Sequence, residues 1–223
     1  MRIGIIIAAA GKGERLGKGG KALRKLGGRY LVEYSLSTFQ RFPRDKEIIL
    51  VVQSSDLELA REFLIPKYNV KIIPGGKERY LSVYNGFKQL SSEVEKVLIH
   101  DCARPFLSFD LISRVIAALD NEEAVVPALP VKDTIKVELE GYIKETLPRS
   151  ELLQVQTPQG FRREVLAEAY LKLPTLSPPF LDDAILVEQI GKKVKIIPGD
   201  EMNFKITTPL DWKLAEVVLK DGI

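Results

Sequence analysis

Cysteine is nearly absent from the sequence: Cys102 is the only one in 223 residues. It has no partner for an internal disulfide, which points to a reducing compartment, so a cytoplasmic location is expected. Histidine is equally scarce. His100 stands alone at the end of a predicted strand and is read as structural, with hydrogen bonding its only role. Cys102 has no evident base partner and is read as a small packed residue rather than a nucleophile. Excess charge of one sign is lacking too. The formal net charge is +3, and the basic residues are spread along the chain. A nucleic-acid binder would carry a denser basic stripe, so that partner is not expected. No apolar run approaches the length of a membrane span. Internal repeats and low-complexity linkers are missing, and Pro174–Pro179 is the one loop-rich stretch. Disorder is excluded by a composition that is 45% hydrophobic and 28% charged.

What is present is a regular alternation of short apolar runs and helical patterns. Ile3–Ala8, Glu47–Gln53, Val70–Ile73, Lys96–His100 and Glu123–Ala128 are predicted strands. They are rich in Ile and Val with little polar alternation, as in central strands covered on both faces. Arg2 and the apolar Ile3–Ala10 have the outline of a signal peptide. The run is at the short limit for one and a Gly/Lys loop follows at once, so a buried first strand is expected. Leu31–Phe42, Asp56–Ile65, Arg79–Leu90 and Phe109–Leu119 are predicted helices, the third with Leu81, Tyr84 and Phe87 on one face. The βα repetition predicts an α/β fold with a mostly parallel sheet and helices on both faces.

From Asp133 to Arg149 the pattern changes. Ile135, Val137 and Leu139 alternate, Glu140-Gly141 makes a turn, and Tyr142-Ile143 begins a return strand. This hairpin has little apolar content, and it is predicted either to project as an arm or to form an edge hairpin. A short strand at Leu153–Gln156, helices near Arg163–Leu173 and Asp183–Ile190, and a strand at Val194–Ile197 follow. The last helix starts at Thr208-Pro209-Leu210-Asp211, with Thr208 as cap, Pro209 in the first turn and Asp211 closing a capping box. The whole chain is expected to be one unit, with the arm at about 133–149 as an insertion.

The first strand runs into Ala8-Ala9-Ala10-Gly11-Lys12-Gly13-Glu14-Arg15-Leu16-Gly17-Lys18-Gly19-Gly20-Lys21. Glycines let backbone N–H groups approach a phosphate. The Walker A spacing fails, because Ala22 follows Lys21. The dinucleotide fingerprint fails as well, since Leu16 takes the third glycine position and Gln53 stands where a ribose-binding acid is needed. A phosphate cradle with basic side chains and a solvated surface loop both remain open. At the fourth strand's end comes His100-Asp101-Cys102-Ala103-Arg104-Pro105. Asp101 there can hold Mg²⁺ through one carboxylate oxygen, with Arg104 clamping a phosphate, or it can cap the next helix. Gly75-Gly76-Lys77-Glu78-Arg79, Asn203-Phe204-Lys205-Ile206-Thr207 and Thr157-Pro158-Gln159 are weaker pieces, the last also consistent with a helix start.

Together these segments, with Val131-Lys132-Asp133-Thr134-Ile135-Lys136 and Gln156-Thr157-Pro158-Gln159, resemble the 2-C-methyl-D-erythritol 4-phosphate cytidylyltransferases of the non-mevalonate isoprenoid pathway. The motifs occur in the family's order across nearly the whole chain. The resemblance implies a Rossmann-like fold of the nucleotide-diphospho-sugar transferase type and transfer of CMP from CTP to a polyol phosphate with Mg²⁺. It implies Arg15, Lys21 and Lys205 as catalytic residues and Ala9, Ala10, Gly11, Gly76, Ser82 and Asp101 for the nucleotide, with Asp101 beside the metal. Arg104, Thr134, Arg149, Thr157 and Lys205 are implied for the polyol phosphate. In the family the arm reaches the neighbouring subunit, so a homodimer is implied in which Thr134 and Arg149 serve the partner's site. Three positions depart from the pattern: Gly20 replaces a usual proline, Lys77 a common acid, and Met202 an acid often found before Asn203. The resemblance leaves open a CDP-ribitol-forming enzyme, another sugar-phosphate nucleotidyltransferase and a non-catalytic nucleotide-binding protein. Arg15, Lys21, Asp101 and Lys205 argue against the last.

Overall fold

The structure, a computed structural model, describes residues 1–11 and 20–221. Strand β1 (Arg2–Ala9) precedes a small hairpin, β2 (Lys25–Leu26) and β3 (Arg29–Tyr30), that feeds helix α1 (Leu31–Arg41). Then come β4 (Lys46–Val52), α2 (Leu57–Leu64), β5 (Lys71–Pro74), α3 (Arg79–Phe87), β6 (Val94–Asp101), α4 (Phe109–Ala118) and β7 (Ala124–Pro130). The arm is β8 (Lys136–Leu139) and β9 (Tyr142–Thr146). It is followed by β10 (Leu153–Val155), β11 (Gln159–Arg162), α5 (Arg163–Lys172), α6 (Ala184–Gln189), β12 (Lys195–Pro198) and α7 (Pro209–Lys220). The main sheet has the order β10-β7-β11-β6-β1-β4-β5, with β12 also paired to β7. Strand β1 pairs in parallel with both β4 and β6, and β5 extends the parallel set beyond β4.

The central strands are buried on both faces, which explains their unbroken apolar sequence. Ile3, Ile5 and Ile7 of β1 pack with Leu36 and Phe39 of α1 and Leu111 and Ile112 of α4. Ile6 points to the other face, where it meets Val51, Val83 and Phe87. Each such side chain contributes about 1.5–3 kcal/mol by leaving water. The buried face of α3 is Ser82, Val83, Gly86 and Phe87, while Leu81 and Tyr84 are only partly covered. The Leu81–Tyr84–Phe87 face expected from the sequence is therefore rotated. Gly86 sets the true contact: a Cβ there would lie 2.7 Å from Ile6 Cγ2 and 3.2 Å from Val51 Cγ2.

A second correction concerns Thr157-Pro158-Gln159, which leads into a strand rather than a helix. Strand β11 runs antiparallel between β6 and β7, pairing Gln159 with Ile99 and Gly160 with Val125. Gly160 packs under α4, where a Cβ would come 2.5 Å from Val115 Cγ1. The last helix begins as its sequence dictates: Asp211 N donates to Thr208 Oγ1 at 3.2 Å, and Thr208 N donates to Asp211 Oδ2 at 2.7 Å. The arm turns at Glu140 and Gly141, both with positive φ, and its two strands pair only with each other. Most of its side chains are exposed, Leu139 at 56% and Tyr142 at 80%.

Candidate active site

Parallel strands aim their carboxyl ends at one edge of the sheet, where α/β folds collect their sites. Here Ala10–Gly11 follow β1, Gln53–Ser55 follow β4, Gly75–Arg79 follow β5, and β6 ends on Asp101. With Lys21, Cys102, Ala103, Lys205 and Thr207 they line one cleft of about 890 Å³. The Asn203–Thr207 segment is laid against the β6 end by the bond from Ile206 N to Ala103 O at 2.9 Å.

One wall is backbone. A Cβ at Gly75 would stand 2.5 Å from Ala10 Cβ and 2.8 Å from Ser82 Oγ, so the two loops meet only because that residue is glycine. Gly76 N donates to Ser82 Oγ at 3.0 Å, and Ser82 Oγ donates to the Glu78 carbonyl at 3.0 Å. The Ser82 hydroxyl thus shapes the turn that carries Gly76. Gln53, where the sequence lacks a ribose-binding acid, instead donates through Nε2 to the Gly11 carbonyl at 3.0 Å.

The other wall is charged. Asp101 Oδ2 accepts from Lys205 Nζ at 2.6 Å, and Oδ1 accepts from Arg79 Nε at 3.2 Å and Nη2 at 3.1 Å. Burial alone would push this carboxyl up, but Arg79 and Lys205 hold it well below the usual carboxylate range. Arg79 also donates from Nη1 to Asp183 Oδ2 at 2.7 Å. Lys21 Nζ donates to the Ile206 carbonyl.

Behind Asp101 lies a neutral relay. His100 is fully buried, and its Nε2 sits 3.1 Å from the Arg104 carbonyl, so Nε2 carries the proton and Nδ1 accepts. Thr157 Oγ1 then donates to Nδ1 at 3.2 Å and accepts from Asp101 N at 3.1 Å. Burial pushes the His100 imidazole down to about 4, so it is uncharged at neutral pH. The Cys102 thiol is pushed up to about 12, chiefly by burial, and is no nucleophile at neutral pH.

The cleft therefore brings together Ala9, Ala10, Gly11, Lys21, Gly76, Asp101, Lys205 and the mostly buried Ser82. Asp101 does not cap α4, because Ser108 Oγ takes that role. Arg104 and Thr157 are not on the lining; they lie buried beneath it. Arg104 Nη1 and Nη2 donate to the Asn203 and Val155 carbonyls at 2.8 and 3.3 Å, which leaves its buried Nε without a partner. Thr134 and Arg149 are exposed at the base of the arm and do not line this cleft; Arg149 Nη1 donates to the Lys132 carbonyl at 2.8 Å. Arg15 lies outside the described residues. Sequence reasoning missed Arg79 and Asp183. Arg79 closed a quoted motif, and a cation on the first residue of a helix, where the dipole disfavours it, was the available signal.

The described residues hold no cluster of three His, Cys, Asp or Glu side chains that would bind a metal by itself. Asp101 and Glu78 are the carboxylates of a cleft lining that also carries Lys21, Lys77, Arg79 and Lys205. That donor set fits a Mg²⁺ that takes its remaining oxygens from phosphates and water, not a closed protein cage.

Comparison with known proteins gives one consistent answer. A family model described as IspD, 2-C-methyl-D-erythritol 4-phosphate cytidylyltransferase, matches residues 3–221. A protein of that name from Alkaliphilus metalliredigens is 39% identical over 99% of this chain and 95% of its own. Another from Geobacillus kaustophilus is 42% identical over 96% and 95%. The crystal structure of 4-diphosphocytidyl-2C-methyl-D-erythritol synthase from Anaerococcus prevotii aligns with a TM-score of 0.85 at 34% identity, covering 98% of this chain and 96% of that one.

Proposed function

The chain belongs to the 2-C-methyl-D-erythritol 4-phosphate cytidylyltransferase family, and on that premise we propose that the cleft is where CMP passes from CTP to 2-C-methyl-D-erythritol 4-phosphate. The products are 4-diphosphocytidyl-2-C-methyl-D-erythritol and pyrophosphate, and the step serves isoprenoid precursor synthesis. The observation that carries this reading is a cleft joining a glycine-built backbone wall to Lys21, Lys205 and Asp101.

An oxygen of the acceptor's phosphate attacks the α-phosphorus of CTP. A new P–O bond forms, the bond to the β-phosphate oxygen breaks, and pyrophosphate departs with its electron pair. The attacking monoester is already ionised near neutral pH, so no general base is required. That suits a site whose histidine is buried and neutral and whose thiol is held protonated. The obstacle is an anion approaching a polyanion. Lys21 and Arg15 stabilise the α-phosphate and the departing oxygens, and Lys205 bridges nucleophile and α-phosphate. Asp101 would hold Mg²⁺, which when bound offsets phosphate charge. The Gly75–Gly76 backbone and Ser82 face the cytidine, and Arg104 and Thr157 support the acceptor phosphate from below.

The arm completes the site of a second copy. Its apolar residues are uncovered, and Thr134 and Arg149 stand away from their own cleft. The working form is then a homodimer of single-unit chains in the cytoplasm. No helix among the described residues is long and apolar enough to cross a membrane. The deciding experiment is pyrophosphate release across four nucleoside triphosphates and a panel of polyol phosphates that includes ribitol phosphate. CTP with methylerythritol phosphate should be used far better than any other pair, and equal turnover of all four nucleotides would sink the assignment. Mixing inactive Lys21→Ala and Arg149→Ala dimers tests the shared site: exchange of subunits should restore activity, and no recovery after confirmed exchange refutes it.

A further inference from the structure

We propose that Asp183 is a positioning residue for nucleotidyl transfer, bracing Arg79 from behind the cleft while Asp101 changes partners. The inference rests on the cleft being the nucleotide site. Asp183 is fully buried and absent from the cleft lining, whereas Arg79 and Asp101 both line it. Its hydrogen-bonded link to the cleft is Arg79, from whose Nη1 its Oδ2 accepts at 2.7 Å.

The plain alternative is that Asp183 merely starts helix α6. Its position before Ala184 suggests a cap, yet its side chain makes no capping bond. The neighbouring Asp182 does that work, with Oδ1 accepting from Ile185 N at 3.1 Å. Asp183 spends Oδ2 on Arg79 and leaves Oδ1 buried without a partner. A carboxylate kept only for stability would be better satisfied, because a buried polar atom without a bond is costly.

Arg79 needs such a brace. It is the first residue of α3, where the helix dipole repels a cation, and no acidic residue stands in that first turn. Its other anionic partner, Asp101, is shared with Lys205. Once the nucleotide and its cation engage Asp101, the Nε/Nη2 edge of Arg79 is released, and Nη1 keeps its bond to Asp183. The guanidinium then stays aimed at the site instead of following Asp101.

The brace has a rigid footing. Gln159 Oε1 accepts from Asp183 N at 3.1 Å and Ala184 N at 3.2 Å, while its Nε2 donates to Asp182 Oδ2 at 2.8 Å. Gln159 opens β11 and pairs with Ile99 of β6, the strand that ends on Asp101. Both carboxylates flanking Arg79 are thus referenced to adjacent strands, the kind of support that fixes functional groups on scaffold elements rather than loops.

The test is Asp183→Asn, which keeps the shape and an acceptor but removes the charge. We expect a folded protein with CTP affinity changed little and kcat lowered by about ten- to a hundredfold, the range seen when an outer partner of a site group is lost. The Arg79→Ala/Asp183→Asn double variant should be no worse than Arg79→Ala alone, because both changes remove one device. A folded Asp183→Asn enzyme with wild-type kcat overturns the brace, and so do additive losses. Should Asp183→Asn fail to fold, the wild-type enzyme decides. The Arg79 guanidinium resonance should show hindered rotation both free and with CTP added; free rotation in either state overturns the proposal. Absence of CTP turnover by the wild type would instead overturn the function reading, without touching the guanidinium result.

Discussion

Lys205→Ala separates a catalytic cation from a structural one. Lys205 Nζ lies 2.6 Å from Asp101 Oδ2, and its side chain is 40% exposed. An ion pair that open to water contributes about 0–1 kcal/mol to stability. For a chain of this size 1 kcal/mol corresponds to roughly 2–4 °C in Tm, so melting should fall by no more than that. Asp101 also keeps the two bonds from Arg79, so the variant leaves no buried charge unpaired. Loss of one positioned donor to developing charge costs roughly 10²–10³-fold in kcat, or about 2.7–4 kcal/mol of transition-state stabilisation. Stability and catalysis should therefore part by several kcal/mol. Steady-state pyrophosphate release under saturating CTP and acceptor, read beside a melting curve, measures both. Unchanged kcat would refute the catalytic role. A large drop in Tm with a matching drop in activity would show that Lys205 holds the fold, and the reasoning from its exposure would be wrong.

Lys21→Ala should leave the KM for CTP within a few-fold and lower kcat by about 10²–10³, since its charge matters most in the transition state; a raised KM with intact kcat would confine it to ground-state binding. Gly75→Ala would put a Cβ 2.5 Å from Ala10 Cβ, and the displaced turn should lower kcat/KM for CTP by about 10², checked against an unshifted fold by circular dichroism. His100 links stability to pH. Burial pushes it down to about 4 from an ordinary 6.5, so the unfolded chain binds a proton in that window and the folded chain does not. Its contribution of about 3 kcal/mol is full above pH 6.5 and is lost as pH falls toward 4. Urea unfolding of chelator-treated protein at pH 7, 5.5 and 4.5 should show this slope, and His100→Gln should flatten it.

Much of the fold was legible because burial on both faces writes itself as apolar runs rich in Ile and Val, as within the predicted strands Ile3–Ala8 and Glu47–Gln53. Strand β11 was not, for a physical reason. Gln159-Gly160-Phe161-Arg162 is short, has one apolar side chain and carries a glycine whose purpose is to admit Val115 and Leu119. Its place in the sheet comes from its neighbours. The α3 face was misjudged for a related reason: Ser82 and Gly86 are buried there by close approach, and small side chains leave no mark in an apolar count. Several residues named from contiguous motifs come together in the cleft, among them Gly76, Asp101 and Lys205. The Arg79–Asp183 pair spans 104 positions, and although Arg79 stands in a quoted motif at a disfavoured helix start, nothing in the sequence ties it to Asp183. The bond that gives each its meaning exists only after folding.

The geometry of the cleft also explains how a site can serve without a proton acceptor. Lys21 bonds to the Ile206 carbonyl, and Lys205 bonds to Asp101. Both cations are thus tied to the Asn203–Thr207 segment, one by its carbonyl and one by its chain. That segment is fixed through Ile206 N to Ala103 O at 2.9 Å, Asn203 Nδ2 to Thr157 O at 2.7 Å and Arg104 Nη1 to the Asn203 carbonyl at 2.8 Å. Two of the residues that hold it, Ala103 and Thr157, flank the β6 end that carries Asp101. The segment that carries these contacts is therefore held in place by the fold before any phosphate arrives. Charge placed by the fold costs no reorganisation when the α-phosphate becomes pentacoordinate, and that is where an electrostatic catalyst gains its rate. A titrating base would add nothing to a nucleophile that is already an anion, and the burial that keeps His100 neutral removes one more cation that would compete for Asp101.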